Sequence, residues 1–419
     1  MNLEKIYNDL YFFTDFENFE KRFKELIKYF HKYFGNNDEK IYYFSVPGRV
    51  ELIGNHTDHN HGKVIATSIN LDAVAIARKI PDNIIKIYSV EFDRVFEVDI
   101  DELNIKEEEK NSTNALIRGI VAGFRRNNKI IGGFEAVVSS QVMVGSGLSS
   151  SAAFEVLIGK ILSVFYNNDE LLDIFLAQMG QFAENQYFGK PCGLMDQIAV
   201  AYGGIVFIDF ANIDDPIVES IDFDFNEYDY KILVVNTGGS HADLTDDYAS
   251  IPQDMRSIAK NFGIPSLKDL NKNDIYEHFQ ELCNKFGDRA VLRALHFFDE
   301  NKRVELARKS FFDGNIDTIF QNIILSGDSS IKWLQNGFSI KNIKNQKVML
   351  GLYLSEEFFR NNNVNGGYRV HGGGFAGTIL VILKNDFVDK YVDFIGKFFD
   401  KNSVNILQER RIGAYFSKL

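Results

Sequence analysis

The sequence predicts an α+β protein of two domains. One observation is the length: 419 residues are two to three times the commonest domain size, enough for two substantial cores. Another is order. Short β-branched and aromatic runs fill the first quarter and return at the end, and a long helical pattern over residues 243–360 stands between them. The composition agrees, since 45% hydrophobic and 25% charged residues sit on the globular average.

Each element follows from spacing. Over residues 10–34, Phe19, Phe23, Leu26, Ile27, Phe30 and Phe34 recur at helical intervals up to Gly35, which predicts an amphipathic opening helix. Runs at 41–44, 64–80, 84–90 and 95–100, punctuated by Gly, Pro, Asn and Asp, read as an antiparallel sheet. A helix over 115–126, a strand over 134–142, a Gly/Ser loop and helices over 152–165 and 170–188 come next. A strand pair, 205–210 with 230–235, precedes the helical region; strands at 368–371 and 378–383, one helix and a strand at 404–408 close the chain. The expected domains are 1–203 and 204–419, divided at Gly203-Gly204, although no Pro/Ser-rich linker marks the place.

Charge and composition remove whole classes of function. Lys plus Arg number 46 and Asp plus Glu 58, a net charge of −12 that repels nucleic acid and acidic membrane surfaces. An anionic ligand such as a nucleotide therefore has to be held by backbone dipoles, one or two cations and a metal. No stretch approaches the roughly 18 apolar residues of a membrane-spanning helix. Cys192 and Cys283 cannot build a disulfide framework, and Glu4 and Asp9 stand where a signal peptide is basic then apolar, so a cytoplasmic address is expected.

Four segments concentrate chemistry. Gly145-Ser146-Gly147-Leu148-Ser149-Ser150-Ser151 lies between a predicted strand and a predicted helix. Its glycines let backbone N–H groups face a phosphate, the helix offers its positive end, and the hydroxyls offer donors or a hard-cation ligand. It is not a Walker loop, because no Gly-Lys pair, Gly189-Lys190 included, precedes Ser or Thr. Read alone, an ordinary Gly/Ser turn capping a helix explains it equally well.

The second segment runs from Pro47 through Arg49, Glu51, Asn55, His56, Thr57, Asp58, His59, Asn60 and His61. Three histidines in six residues raise zinc, but Asn and Gly signal a turn whose histidines point apart. Thr57, Asp58 and Asn60 suit sugar hydroxyls better. Cys192-Gly193-Leu194-Met195-Asp196-Gln197 is the third, with a carboxylate among apolar neighbours; His371-Gly372-Gly373-Gly374-Phe375-Ala376-Gly377 is the fourth, with glycines that permit close backbone approach.

In this order and at these distances the four segments resemble the galactokinase branch of the GHMP small-molecule kinases, over nearly the whole chain. Arg293-Ala294-Leu295-His296, the stretch from His241 to Tyr248 and Arg411-Ile412-Gly413-Ala414 add to the likeness. The resemblance implies a two-domain GHMP fold with the site between domains, ATP as co-substrate, Mg²⁺ and a small sugar phosphorylated at C1. It implies that Gly145, Ser146, Gly147, Leu148, Ser149, Ser150 and Ser151 bind the phosphates, with Ser151 and Glu184 on Mg²⁺. Asp196 and Arg49 would act at the anomeric hydroxyl, and Asn55, His56, Thr57, Asp58, Gly193 and Tyr248 would surround the sugar.

Two departures concern the sugar's C6 end. The family pattern has Glu at the place of Asn55 and Asn at the place of Glu51. Asp58-His59, and Ser326-Gly327-Asp328-Ser329-Ser330, resemble galacturonate kinases. Thr57 and Tyr248 follow galactokinases. D-galactose is the expected substrate and galacturonate the alternative. A sugar-sensing regulator without turnover is the reading of another class, against which stand the intact Ser149-Ser150-Ser151 segment, Arg49 and Asp196.

Overall fold

The computed structural model describes residues 3–11, 15–36, 40–142, 145, 147–238, 244–375 and 377–419. Ser146, Ala376 and the stretch 241–243 lie outside the described residues. The opening segment forms α1 (Leu3–Leu10) and α2 (Phe16–Phe34) rather than one helix from residue 10. Asp15 starts α2 by accepting the Glu17 N–H at 2.9 Å, and Gly35 at φ +77° ends it.

The early strands are β1 (Tyr42–Ile53), β2 (Lys63–Lys79), β3 (Ile84–Ser89) and β4 (Arg94–Asp99). They do not make a simple meander. Helix α3 (Thr113–Arg126) carries the chain back so that β5 (Phe134–Ser140) inserts between β2 and β3, antiparallel to one and parallel to the other. Helices α4 (Ser150–Tyr166), α5 (Asp173–Phe182) and α6 (Met195–Tyr202) follow. With α3 they bury Phe124, Val156, Leu176 and Ile198 on one face of the sheet, and α2 buries Phe19 and Phe23 on the other.

Beyond Gly204 the chain stays with this sheet before leaving it. Strand β6 (Ile205–Asp209) pairs with the first half of β2 and with β7 (Ile217–Ile221). Strand β8 (Tyr230–Asn236) instead enters a second, antiparallel sheet of order β11-β8-β10-β9, with β9 (Gly366–Val370), β10 (Thr378–Lys384) and β11 (Val404–Leu407). The pairing expected between residues 205–210 and 230–235 therefore does not form. Between the sheets' strands run α7 (Thr245–Asn261), α8 (Lys272–Glu277), α9 (Phe279–Phe286), α10 (Asp288–Phe312), α11 (Ile316–Ser329) and α12 (Lys347–Asn362). Gly263, Gly287 and Gly314, at φ +73°, +84° and +64°, interrupt what reads as continuous helix in the sequence.

After α13 (Val388–Ile395) and β11, the tail strand β12 (Tyr415–Lys418) returns to pair with β1. A shared core of Val50, Ile65, Phe207, Val234, Leu380 and Ile382 joins the two sheets. A division at residues 203–204 thus falls within the first sheet and not between the sheets. Among the described residues no helix is long and apolar enough to cross a membrane.

Candidate active site

The site forms where β1 meets the Gly/Ser loop. Strand β1 shifts register between Pro47 and Arg49, and a Cβ on Gly48 would lie 2.8 Å from the Leu148 carbonyl oxygen. Glycine is what admits the loop against the strand. The Arg49 N–H then donates to Leu148 O at 3.1 Å, and its guanidinium Nη1 donates to Gly147 O at 2.5 Å. Nε and Nη2 both donate to Asp196 Oδ1, at 2.8 and 2.7 Å. Arg49 is buried, whereas the Asp196 side chain keeps 34% of its exposure, so the pair opens onto the cleft.

Ser149 completes this group. It precedes α4 in the left-handed region at φ +63° and makes no side-chain cap; its hydroxyl donates to Asp196 Oδ2 instead. A non-glycine residue held there and diverted from capping is a mark of functional strain. Gly145 (φ +76°) and Gly147 (φ +75°) shape the loop, and among the described residues no heavy atom outside its own chain neighbours lies within 4 Å of a Cβ placed on Gly145. Ser150 and Ser151 form the first turn of α4, whose N–H groups make a ready anion site.

Ser151 Oγ donates to Glu184 Oε1 at 3.2 Å. Glu184 sits in a π-helical turn, Ala183–Phe188, at the end of α5, an irregularity that frequently marks functional positions. Its side chain is only 3% exposed, and Oε1 also receives Lys190 Nζ at 3.0 Å. Gln197 Nε2 donates to Glu184 Oε2 at 3.1 Å and to Glu155 Oε2 at 3.0 Å. Burial, with Glu184 as neighbour, holds the Glu155 carboxyl well above the usual carboxylate range.

The turn after β1 supplies the opposite wall. His56 (φ +58°) donates from Nε2 to Gly373 O at 3.0 Å, and Asp58 Oδ1 accepts from His59 Nδ1 at 2.9 Å. A Cβ on Gly193 would come within 1.8 Å of Asp58 Oδ2. Tyr248 covers Gly373 and donates to Gly374 O at 3.1 Å. His56 and Tyr248 therefore meet at Gly373 and Gly374, and Asp58 lies against Gly193. Burial, then the neighbouring His59, lowers His56 to about 3. Burial alone would raise Asp58, but His59 brings it down to about 2.

Asn55 and Thr57 depart from the expectation. Thr57 Oγ1 donates to Gly54 O (2.9 Å) and Lys63 O (2.6 Å), clasping the base of the turn. Asn55 is 1% exposed; its amide donates to Glu51 Oε1 (3.1 Å) and Gly372 O (2.8 Å) and accepts from Asn336 Nδ2 (2.8 Å). The two residues that differ from the family pattern thus touch each other inside the protein. Arg369 Nη2 completes the pair by donating to Glu51 Oε1 at 2.9 Å.

Several supporting residues lie outside the four polar and glycine-rich segments. Glu300 of α10 accepts the Gly54 N–H at 3.0 Å, and His296 Nε2 meets Asn55 O at 2.9 Å. Ser326, Ser329 and Ser330 bond to Glu300, His296 and Asn55, so that segment buttresses the turn from behind. His371 packs against Gly147, with Nδ1 at 3.2 Å from Thr378 Oγ1. Gln197 and His371 lie inside motifs that draw attention for other members; Lys190, Glu300 and Arg369 have no such marker.

Two family models match the chain: the galactokinase galactose-binding signature over residues 28–79 and the GHMP kinase N-terminal domain over residues 115–204. The first spans β1, the turn and β2; the second runs from α3 through the Gly/Ser loop to α6. The galactokinase of Lactococcus lactis subsp. lactis (strain IL1403) is 30% identical over 386 residues, 90% of this chain and 91% of that protein. The galactokinase of Glaesserella parasuis serovar 5 is 30% identical over 384 residues, 89% and 93% of the two chains. The crystal structure of Lactococcus lactis galactokinase complexed with galactose superposes with a TM-score of 0.79 at 26% identity, covering 95% of this chain and 100% of that one. Methanococcus jannaschii mevalonate kinase, at 17% identity and a TM-score of 0.59 over 89% of this chain, shares the fold. Arg49, Asp196 and the loop before α4 thus stand in a scaffold matched along nearly its full length, and the chain belongs to the galactokinase family of the GHMP sugar kinases.

Proposed function

We propose that the protein transfers the γ-phosphoryl group of ATP to the C1 hydroxyl of D-galactose. The observation that carries this reading is the convergence of Arg49, Ser149 and Asp196 at the N-terminus of α4. The sugar O1 forms a bond to phosphorus, the bond from that phosphorus to the β–γ bridging oxygen breaks with its electrons leaving on ADP, and the O1 proton passes to Asp196. Arg49 fixes the carboxylate and favours the developing alkoxide. Such chemistry needs positioning and charge neutralisation more than covalent help. Gly145, Gly147 and the first turn of α4 hold the phosphates.

Ser151 and Glu184 fit a magnesium ion: both offer hard oxygens, 3.2 Å apart, and phosphate and water complete such a shell. When bound there, the ion neutralises phosphate charge. His56, Asp58, Gly193 and Tyr248 take the sugar.

The charges at the turn favour galactose over galacturonate. His56 is neutral at physiological pH and Asp58 is ionised, so neither welcomes a C6 carboxylate. Arg369 is already spent on Glu51. The test is a paired kinetic assay of both sugars from pH 6 to 8. A larger kcat/KM for galactose throughout is expected; a larger value for galacturonate, widening as pH falls, overturns the choice of sugar.

A further inference from the structure

Lys190 occupies a place in the cleft that the reaction as described does not use. The π-turn closes on itself: the N–H groups of Gly189 and Lys190 both reach Glu184 O, at 3.0 and 3.1 Å, and Gly189 adopts φ +88°. Pro191 follows, and Cys192 is tied back to the same turn, its N–H donating to Asn185 Oδ1 at 2.7 Å. The backbone of Lys190 is therefore fixed beside Glu184, while its side chain is 62% exposed. The ammonium enters from the open side of the cleft and meets Oε1, the oxygen that Ser151 also contacts. Asp196, Cys192, Glu155 and Tyr248 are further groups within its electrostatic reach.

We propose that Lys190 is an exchangeable cation of the active site, pairing with Glu184 in the nucleotide-free enzyme and turning to a non-bridging oxygen of the transferring phosphoryl group when a divalent metal takes Glu184. The inference rests on the reading of Ser151 and Glu184 as metal ligands. A carboxylate as buried as Glu184 is costly without a counter-charge, and a lysine on a flexible stem supplies one reversibly. Two cations cannot share one oxygen without repulsion, so occupation of Glu184 by a metal releases the ammonium. The anionic phosphoryl group is then its strongest partner in a protein of net charge −12.

The exchange predicts effects of opposite sign. Lys190→Met removes the competitor from Glu184, so Mn²⁺ binding to the nucleotide-free enzyme, followed by electron paramagnetic resonance, tightens by roughly threefold to tenfold. In the same variant kcat falls by about tenfold or more, because a cation is lost from the transferring group. Lys190→Arg restores part of kcat. Glu184→Gln is the control and should weaken Mn²⁺ binding. If Glu184→Gln leaves Mn²⁺ binding unchanged, the metal assignment fails and the exchange with it. If Glu184→Gln weakens binding but Lys190→Met leaves both Mn²⁺ affinity and kcat unaltered, the exchange alone is overturned. A fall in kcat with unchanged or weaker Mn²⁺ binding overturns it as well.

Discussion

Arg49 places two N–H groups on a single oxygen of Asp196 and leaves the second oxygen to Ser149. A carboxylate held at both ends by donors keeps one orientation toward the cleft, which is what an incoming hydroxyl requires. Asp196→Asn preserves shape and removes charge. Sugar binding should survive while kcat falls by about 10² or more; near-normal turnover in single-turnover and steady-state assays would refute the role. At this scale Arg49, Asp196, Asp58 and Gly193 are legible in the sequence because each belongs to a dense polar or glycine motif. Asn55 and Thr57 belong to the same motif and yet face inward. Their direction is set by Lys63 O, Asn336 and Gly372, none of which can be seen from the turn alone.

The turn from Gly54 to Gly62 depends on elements far along the chain. Glu300 and His296 of α10 hold its backbone, and Arg369 of β9 reaches Glu51 of β1 across the two sheets. A buried carboxylate such as Glu51 is stabilised by that partner and made costly by its loss. At the other side Gly193 lets α6 and Asp58 meet. In Gly193→Ala the new Cβ would stand 1.8 Å from Asp58 Oδ2, so the carboxylate must move. A displacement near 1 Å at a binding group can cost as much as about 10² in rate. The variant should raise the KM for sugar by about tenfold or more and leave nucleotide affinity near the parent value, measured by kinetics with each substrate varied. Equal KM values for sugar in the two proteins would show that Asp58 does not bind it. Helix and strand types follow from periodicity along most of the chain. The π-turn at Ala183–Phe188 does not, because it closes the helix at Gly189 and leaves no further turn in which the extra residue would shift the apolar pattern.

Over the whole molecule the C-terminal tail is the strap between the sheets. Strand β11 lies in the second sheet and β12 in the first. Between them Arg410 is buried against Asp72 and Ser45, with Nη1 at 2.9 and 2.7 Å. This return is invisible to local reading, since a single strand carries no record of its distant partner. Next to Arg410, Glu409 is 8% exposed and bridges Ile69 of β2. Burial, with Asp224 nearby, raises its carboxyl from 4.5 to about 9. In the folded protein it therefore holds a proton that the unfolded chain releases above 4.5. The stability it contributes is complete below pH 4.5 and is lost as pH rises toward 9. Glu409→Gln imitates the protonated acid at every pH. The variant and the parent should match near pH 4.5, and the variant should gain on the parent up to pH 9, by at most about 1.4 kcal/mol per pH unit. Denaturant unfolding of both proteins across that range measures the difference. A constant offset would mean that Glu409 is ionised in the fold, and a parent that gains on the variant with rising pH would mean that its charge has a partner.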